Sequence, residues 1–307
     1  MNPYYSISTY LKETYGEKIY KIALDGGFTC PNRDGRLDTR GCIFCSKGGS
    51  GEFAISTDGK SVDTQIESGL SLFHEKKTGN KFIAYFQAYT NTYGPIHKLR
   101  ELYESALSHP SIVGISIATR PDCLGDDVLS LLEELKSAYP YKFIWIELGL
   151  QTVSEKNAVY IRRGYPLSTC DEAIEKLHHL SIPVILHLII GLPGEGRREL
   201  LESINYVNQK SVFGVKLQLL HILKHTDLEK EYEKGMCKPL SKEEYLDLLV
   251  SAITHLSPSV TIHRLTGDGA KELLIAPLWS LNKRDVLNSL HKKLKLEHAY
   301  QGKEFSN

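Results

Sequence analysis

Short, doubly apolar runs separated by amphipathic stretches organise this chain. Residues 19–24, 82–86, 112–119, 143–148, 184–190 and 214–220 are β-branched or aromatic, bounded by turn residues, and read as buried strands. Strands that are apolar on both faces belong to a parallel sheet covered by helices. The intervening residues 63–75, 97–108, 126–139, 168–180 and 199–208 carry helical spacing and supply that cover. An amphipathic stretch at 241–256 and a short seventh run at 260–264 follow. Neither a repeat nor a low-complexity linker interrupts the alternation. The pattern therefore predicts an α/β architecture in one unit over residues 1–276, with a basic helical tail over 277–307.

Composition narrows the class without changing the fold. The chain has 307 residues, with 37 Lys and Arg against 37 Asp and Glu. Its longest apolar stretch, 182–192, is broken by Pro183 and His187 and falls far short of the ~20 residues a membrane helix needs. The polar and aromatic first ten residues lack a secretory pattern, so a reducing cytoplasm is expected and disulfides are not. Zero net charge argues against a large nucleic-acid footprint but leaves room for local patches. The tail holds Lys283, Arg284, Lys292, Lys293 and Lys295 against Asp285 and Glu297. That face either packs on the domain and is solvated, or meets an anionic partner.

The cysteines carry the chemistry. Cys30, Cys42 and Cys45 cluster in one Gly- and Pro-containing loop after the first strand, whereas Cys123, Cys170 and Cys237 are scattered and read as buried or incidental thiols. Three thiolates close in sequence can converge on a soft metal centre, one ligand short of a closed zinc site. An iron–sulfur cluster with one open iron suits that count. Zinc closed by His74 or Cys123 is an alternative, and a redox pair at Cys42 and Cys45 is a weaker one.

With the loop Gly26-Gly27-Phe28-Thr29-Cys30-Pro31-Asn32-Arg33-Asp34-Gly35 and the spacing C-x11-C-x2-C in view, the chain resembles the radical S-adenosylmethionine (SAM) superfamily, and within it the YhcC/YtqA family. That family is related to the catalytic subunit of Elongator and, more distantly, to the oxygen-independent coproporphyrinogen oxidases. The resemblance covers about residues 15–280 and puts the cluster ahead of zinc. It implies a partial (β/α)6 TIM-type barrel with N- and C-terminal extensions. It also implies a 4Fe-4S cluster on Cys30, Cys42 and Cys45, whose open iron chelates S-adenosyl-L-methionine and whose electron cleaves it.

Further roles carry over residue by residue. Phe44 takes the aromatic position near adenine. In place of the Gly-Gly-Glu stretch that binds the SAM amine, this chain has a polar and aromatic segment in which the backbone at Gln87 and Ala88 takes that part. The resemblance places Gln151 on the SAM ribose and Arg163 on its carboxylate, with Arg162 the competitor for the latter. Glu147 is assigned to the ribose or amine, or to an internal pair with Arg120. Gly191 lets adenine lie against the backbone. His187 replaces a ribose-contacting aspartate and reads as a core histidine. Lys216, Gln218 and His221 lie near the barrel mouth, where they face either substrate or an open strand edge. Arg120 either receives a substrate carboxylate or pairs with Asp122.

For the substrate, the family points to the wobble uridine of tRNA, converted from its carboxymethylaminomethyl to its aminomethyl form, with phosphates met by the tail and by Arg162, Arg163, Arg197 and Arg198. A metabolite or peptide substrate, or a non-catalytic iron–sulfur protein, is the alternative. An external electron donor such as flavodoxin or ferredoxin is implied.

Overall fold

The computed structural model describes residues 2–49, 51–55, 59–73, 79–267 and 269–306. Six parallel strands follow one another in sequence and in space: β1 (Tyr20–Leu24), β2 (Phe82–Phe86), β3 (Ile112–Thr119), β4 (Phe143–Gln151), β5 (Val184–Ile190) and β6 (Gly214–Leu219). A two-residue β7 (Ile222–Leu223) pairs antiparallel with β9 (Leu274–Ala276), while β8 (Thr261–Arg264) joins β6 in parallel and extends the main sheet to seven strands. The short run at the end of the pattern is therefore a true sheet member.

The sheet is curled. Lys21 on β1 and Lys216 on β6 both bond Glu147 on β4. In a flat sheet, with strands ~4.8 Å apart, Lys21 would be left roughly 14 Å away. The sheet's edges are β1 and β8, covered in part by bridges from Ile55 to Leu24 and from Ser6 to Ile262. Covered edges resist pairing with another chain.

Before the sheet comes α1 (Ile7–Tyr15), capped by Ser6 and ended by left-handed Gly16. The outer layer is α2 (Val62–Ser71), α3 (Ile96–Ser108), α4 (Asp126–Ala138), α6 (Leu167–His179), α7 (Arg197–Gln209) and α9 (Lys242–His255). Short α5 (Glu155–Tyr160) and α8 (Asp227–Glu233) lie in the loops, and α10 (Lys283–Leu296) closes the chain. Periodicity anticipated the long outer helices to within a residue or two, except that α2 ends at Ser71; positions 74 and 75 of its expected span lie outside the described residues. The tail helix is not a detached arm. Its buried Val286, Leu290 and Leu294 share the main core, and Lys293 contacts Glu243 and Asp247 on α9 at 2.5 Å each.

Alternation along β4 sorts the barrel interior into levels. Trp145 belongs to the bottom, where it stacks on Phe143 at 4.0 Å between ring centres and meets Phe213, which Tyr10 of α1 also touches. This aromatic plug, with Leu11, Ile83 and Ile185, closes the N-terminal ends of the strands. Glu147 is the next inward residue, then Gly149 and Gln151 at the C-terminal end. The cavity that holds the three thiols lies at the C-terminal end of the strands, where barrels of this kind carry chemistry.

Candidate active site

The eleven residues between Cys30 and Cys42 do not push these two apart, because the loop folds back on itself. Cys30 O accepts from Arg33 N at 2.8 Å, Pro31 O from Leu37 N at 2.9 Å, and Asn32 O from Gly41 N at 2.7 Å. Gly41 sits at φ +78, and a Cβ there would come within 3.0 Å of the Arg33 guanidinium. Arg33 in turn donates to Cys45 O at 3.1 Å and to Ser46 O. The loop is pinned to the barrel by buried Asn32, which donates to Arg162 O at 2.6 Å and to Cys42 Sγ at 3.5 Å, and by Ile43 N on Ile161 O at 3.3 Å.

All three thiols line one cavity of about 230 Å³ at the mouth of the barrel. Among the described residues no three ligating side chains converge on a single ion. A cluster takes each thiolate on its own iron, so three thiols on one cavity suit it. A hydrogen bond with Cys45 lowers the Cys42 thiol to about 6, helped by Arg120, Asn32 and Arg33 against burial. The scattered cysteines go the other way. Burial raises Cys123 to about 12 and Cys170 to about 11. His74, a possible fourth zinc ligand, lies outside the described residues.

Phe44, Gln87, Arg120 and Glu147 line the same cavity, as do Gln151, Arg163, His187, Lys216, Gln218 and His221. Ala88 and Gly191 do not. The Ala88 methyl is buried against Gly51, where an added Cβ would approach it to 2.5 Å. Gly191, at φ +98, opens a separate small cavity behind Gln151. Gln151 itself is held at φ +69, a strained conformation for a side-chain-bearing residue, and its buried Oε1 has no hydrogen-bond partner. An acceptor held in strain and left unpaired at the cavity wall fits a ligand hydroxyl, as a ribose would supply.

The two arginines expected to bind carboxylates are engaged within the chain. Arg120 donates from Nε and Nη2 to Asp122 at 2.9 and 2.7 Å, the internal pairing that the sequence left open. Arg163, 1% exposed, donates to the carbonyls of Tyr165, Leu150 and Thr152 and to Glu155. Tyr165, which sequence reasoning did not single out, lies with Arg120 and Arg163 over its ring at 4.9 and 5.1 Å. Its only advance signal was an aromatic after Arg-Arg-Gly. Arg162 ties Gly41 O to Asp227 at the start of α8. His221 is cradled by Gly267 and Gly269, where a Cβ would come within 2.6 and 3.0 Å of the ring; burial lowers it to about 4.

Glu147 lies deepest, fully buried. Its Oε1 accepts from Lys21 at 2.8 Å and Ser116 at 2.6 Å, and its Oε2 from Lys216 and, at 2.8 Å, from His187 Nε2. Lys216 also donates to Tyr85 Oη at 2.9 Å. Burial alone would raise the Glu147 carboxyl, yet Lys21, Lys216 and His187 hold it well below the ordinary carboxylate range. Burial brings Lys216 down to about 7 against the pull of Glu147, and His187 to about 4, where it is neutral. The alternative pairing of Glu147 with Arg120 gives way to this layer, in which four strands besides β4 contribute one polar side chain each to Glu147. The cavity thus has a thiol-bearing rim and a charged floor.

Residues 39–207 match the Radical SAM superfamily, and residues 212–296 match the radical SAM C-terminal domain. The chain is 45% identical to Bacillus subtilis YtqA over 302 residues, covering 98% of this chain and 92% of that protein. It is 37% identical to Escherichia coli YhcC over 292 residues, covering 95% and 92%. The structure of the archaeal Methanocaldococcus infernus Elp3 with an N-terminal deletion shares the fold, with a TM-score of 0.69 at 14% identity over 92% of this chain and 64% of that one. No helix among the described residues is long and apolar enough to cross a membrane. A three-thiol loop after the first strand of an open parallel barrel, together with these matches, makes the chain a radical SAM enzyme of the YtqA/YhcC family, which binds a 4Fe-4S cluster and S-adenosylmethionine.

Proposed function

We propose that this enzyme acts on the wobble uridine of tRNA, converting a carboxymethylaminomethyl substituent to the aminomethyl form. Kinship with the Elongator catalytic subunit supports the substrate class. The observation that carries the reading is the lining of the site: one cavity is bordered both by the three cluster thiols and by the basic side chains of Lys216 and Arg264, which suit an acidic substituent. Cys30, Cys42 and Cys45 would hold the cluster, and Gln151 and Phe44 would meet S-adenosylmethionine. Bound together, these groups supply the one-electron chemistry that removes a hydrogen atom from an unactivated carbon.

The protein's own part is placement. Arg120 and Arg163 hold the wall around Tyr165, and the aromatic plug packs the N-terminal ends of the strands. Exposed Arg198 and the outer cations of α10 would meet tRNA phosphates, a modest interface in keeping with zero net charge. The setting is cytoplasmic, with flavodoxin or ferredoxin as electron donor. Comparison of tRNA nucleosides from a deletion strain and its parent tests the reading. Loss of the aminomethyl and methylaminomethyl forms with accumulation of the carboxymethylaminomethyl nucleoside is expected; an unaltered profile overturns it.

A further inference from the structure

Basic side chains outnumber acidic ones at the floor of the cavity. Two ammonium groups, Lys21 and Lys216, share the single Glu147 carboxylate, and His187 joins them as a neutral donor. A purely structural buried ion pair gains most when its charges match, because each uncompensated buried charge loses its hydration without return. Burial, with Lys21 and Arg264 nearby, lowers Lys216 to about 7 in spite of its carboxylate partner. Lys216 donates to two groups, Tyr85 Oη and Glu147 Oε2, and an ammonium carries three N–H donors, which leaves one for a ligand.

Lys216 is also placed to meet a ligand. It is 3% exposed, yet it borders both the rim cavity and a second cavity of about 490 Å³ that opens sideways between β1 and β8; Tyr85 borders both as well. Glu147 does not depend on Lys216 alone. With Lys21, Ser116 and His187 still donating, it keeps three partners if Lys216 turns toward a ligand. Of the arginines that line the same cavity, Arg120 has Nε and Nη2 bound to Asp122, Arg163 is held by three carbonyls and Glu155, and Arg33 by the Cys45 and Ser46 carbonyls, while Arg264 borders both cavities beside Lys216.

We infer that the Lys216 ammonium, oriented by Tyr85 and Glu147, is the group that recognises a carboxylate on the substrate, so that the acid is read at the floor of the barrel while the hydrogen atom is removed above it. The identity of that acid rests on the wobble-uridine reading; the recognition itself does not require turnover. A carboxylate arriving there favours the protonated form of Lys216.

The test is binding, under anaerobic conditions, of an anticodon stem-loop bearing carboxymethylaminomethyl uridine and of the same RNA as its methyl ester. Cluster-loaded wild-type enzyme is expected to prefer the acid by about tenfold or more, as one charge-assisted hydrogen bond implies. Lys216→Met should bind acid and ester alike, with iron content unchanged, and Lys216→Arg should keep part of the preference. If Lys216→Met does not fold, Tyr85→Phe carries the test, and its preference should fall severalfold. Equal binding of acid and ester by the wild type, or full preference retained in Lys216→Met or Tyr85→Phe, overturns the inference. Conversion of the acid to the aminomethyl nucleoside is scored separately: a wild type that discriminates but does not convert upholds Lys216 and overturns the proposed reaction.

Discussion

The rim and the floor of the cavity are built in opposite ways. The rim is a loop: three thiols within sixteen residues, positioned by backbone hydrogen bonds, Gly41 and the Arg33 and Asn32 side chains. The floor is a set of side chains, one each from β1, β2, β3, β4, β5 and β6, positioned by rigid strands. A loop can be pulled in around a cluster. Strands cannot, so the backbone frame of the floor is set before any ligand arrives and only its side chains respond. The rim suits the part that every enzyme of the superfamily shares, and the floor suits the part that must differ with substrate.

The largest effect should come from the rim. Replacing Cys30, Cys42 or Cys45 singly by Ala is expected to reduce reductive SAM cleavage, measured as 5′-deoxyadenosine release, to background, since two thiolates cannot hold the cluster in place. Cleavage persisting in any of the three would break the division of labour.

At the floor the expected loss is in stability. Glu147→Ala leaves buried Lys216 without its carboxylate partner and should destabilise the fold by about 3 to 5 kcal/mol in urea unfolding, the range seen when one partner of a buried pair is removed. A change below about 1 kcal/mol would mean that the layer is hydrated and not the rigid floor described.

Between rim and floor, Gln151 separates ligand binding from strain. Gln151→Gly relieves a left-handed backbone and should stabilise the fold by about 1 kcal/mol, while SAM affinity falls by about tenfold. Affinity unchanged by titration calorimetry would remove Gln151 from the cofactor site. The smallest effect is expected for Cys123→Ala, Cys170→Ala and Cys237→Ala, whose thiols are raised by burial and stand outside the loop. Iron content in all three should match the wild type.

This contrast also explains what could be read from the sequence. The strands were legible because both their faces are apolar, and the rim because its ligands are neighbours along the chain. The seven-strand count was only partly legible, since β8 has four residues and owes its place to β6 beside it. Helix α1 was missed because its apolar residues are few and matter only where they meet Trp145 and Phe213. The floor was the least legible. Its signal was a single charged residue in mid-strand, Lys21 in YKIAL, Glu147 in FIWIELGLQ and Lys216 in GVKLQL, and nothing local says that three such residues meet. Glu147 was accordingly given to the cofactor or to Arg120, when the curl of the sheet gives it two lysines.

The claim that the cluster belongs to the rim alone is tested most directly by iron and acid-labile sulfide per chain in anaerobically prepared wild type, Cys42→Ala and Lys216→Met. About four irons per chain are expected in the wild type and in Lys216→Met, and none bound in Cys42→Ala. Stoichiometric zinc in the wild type, or iron retained in Cys42→Ala, contradicts the account.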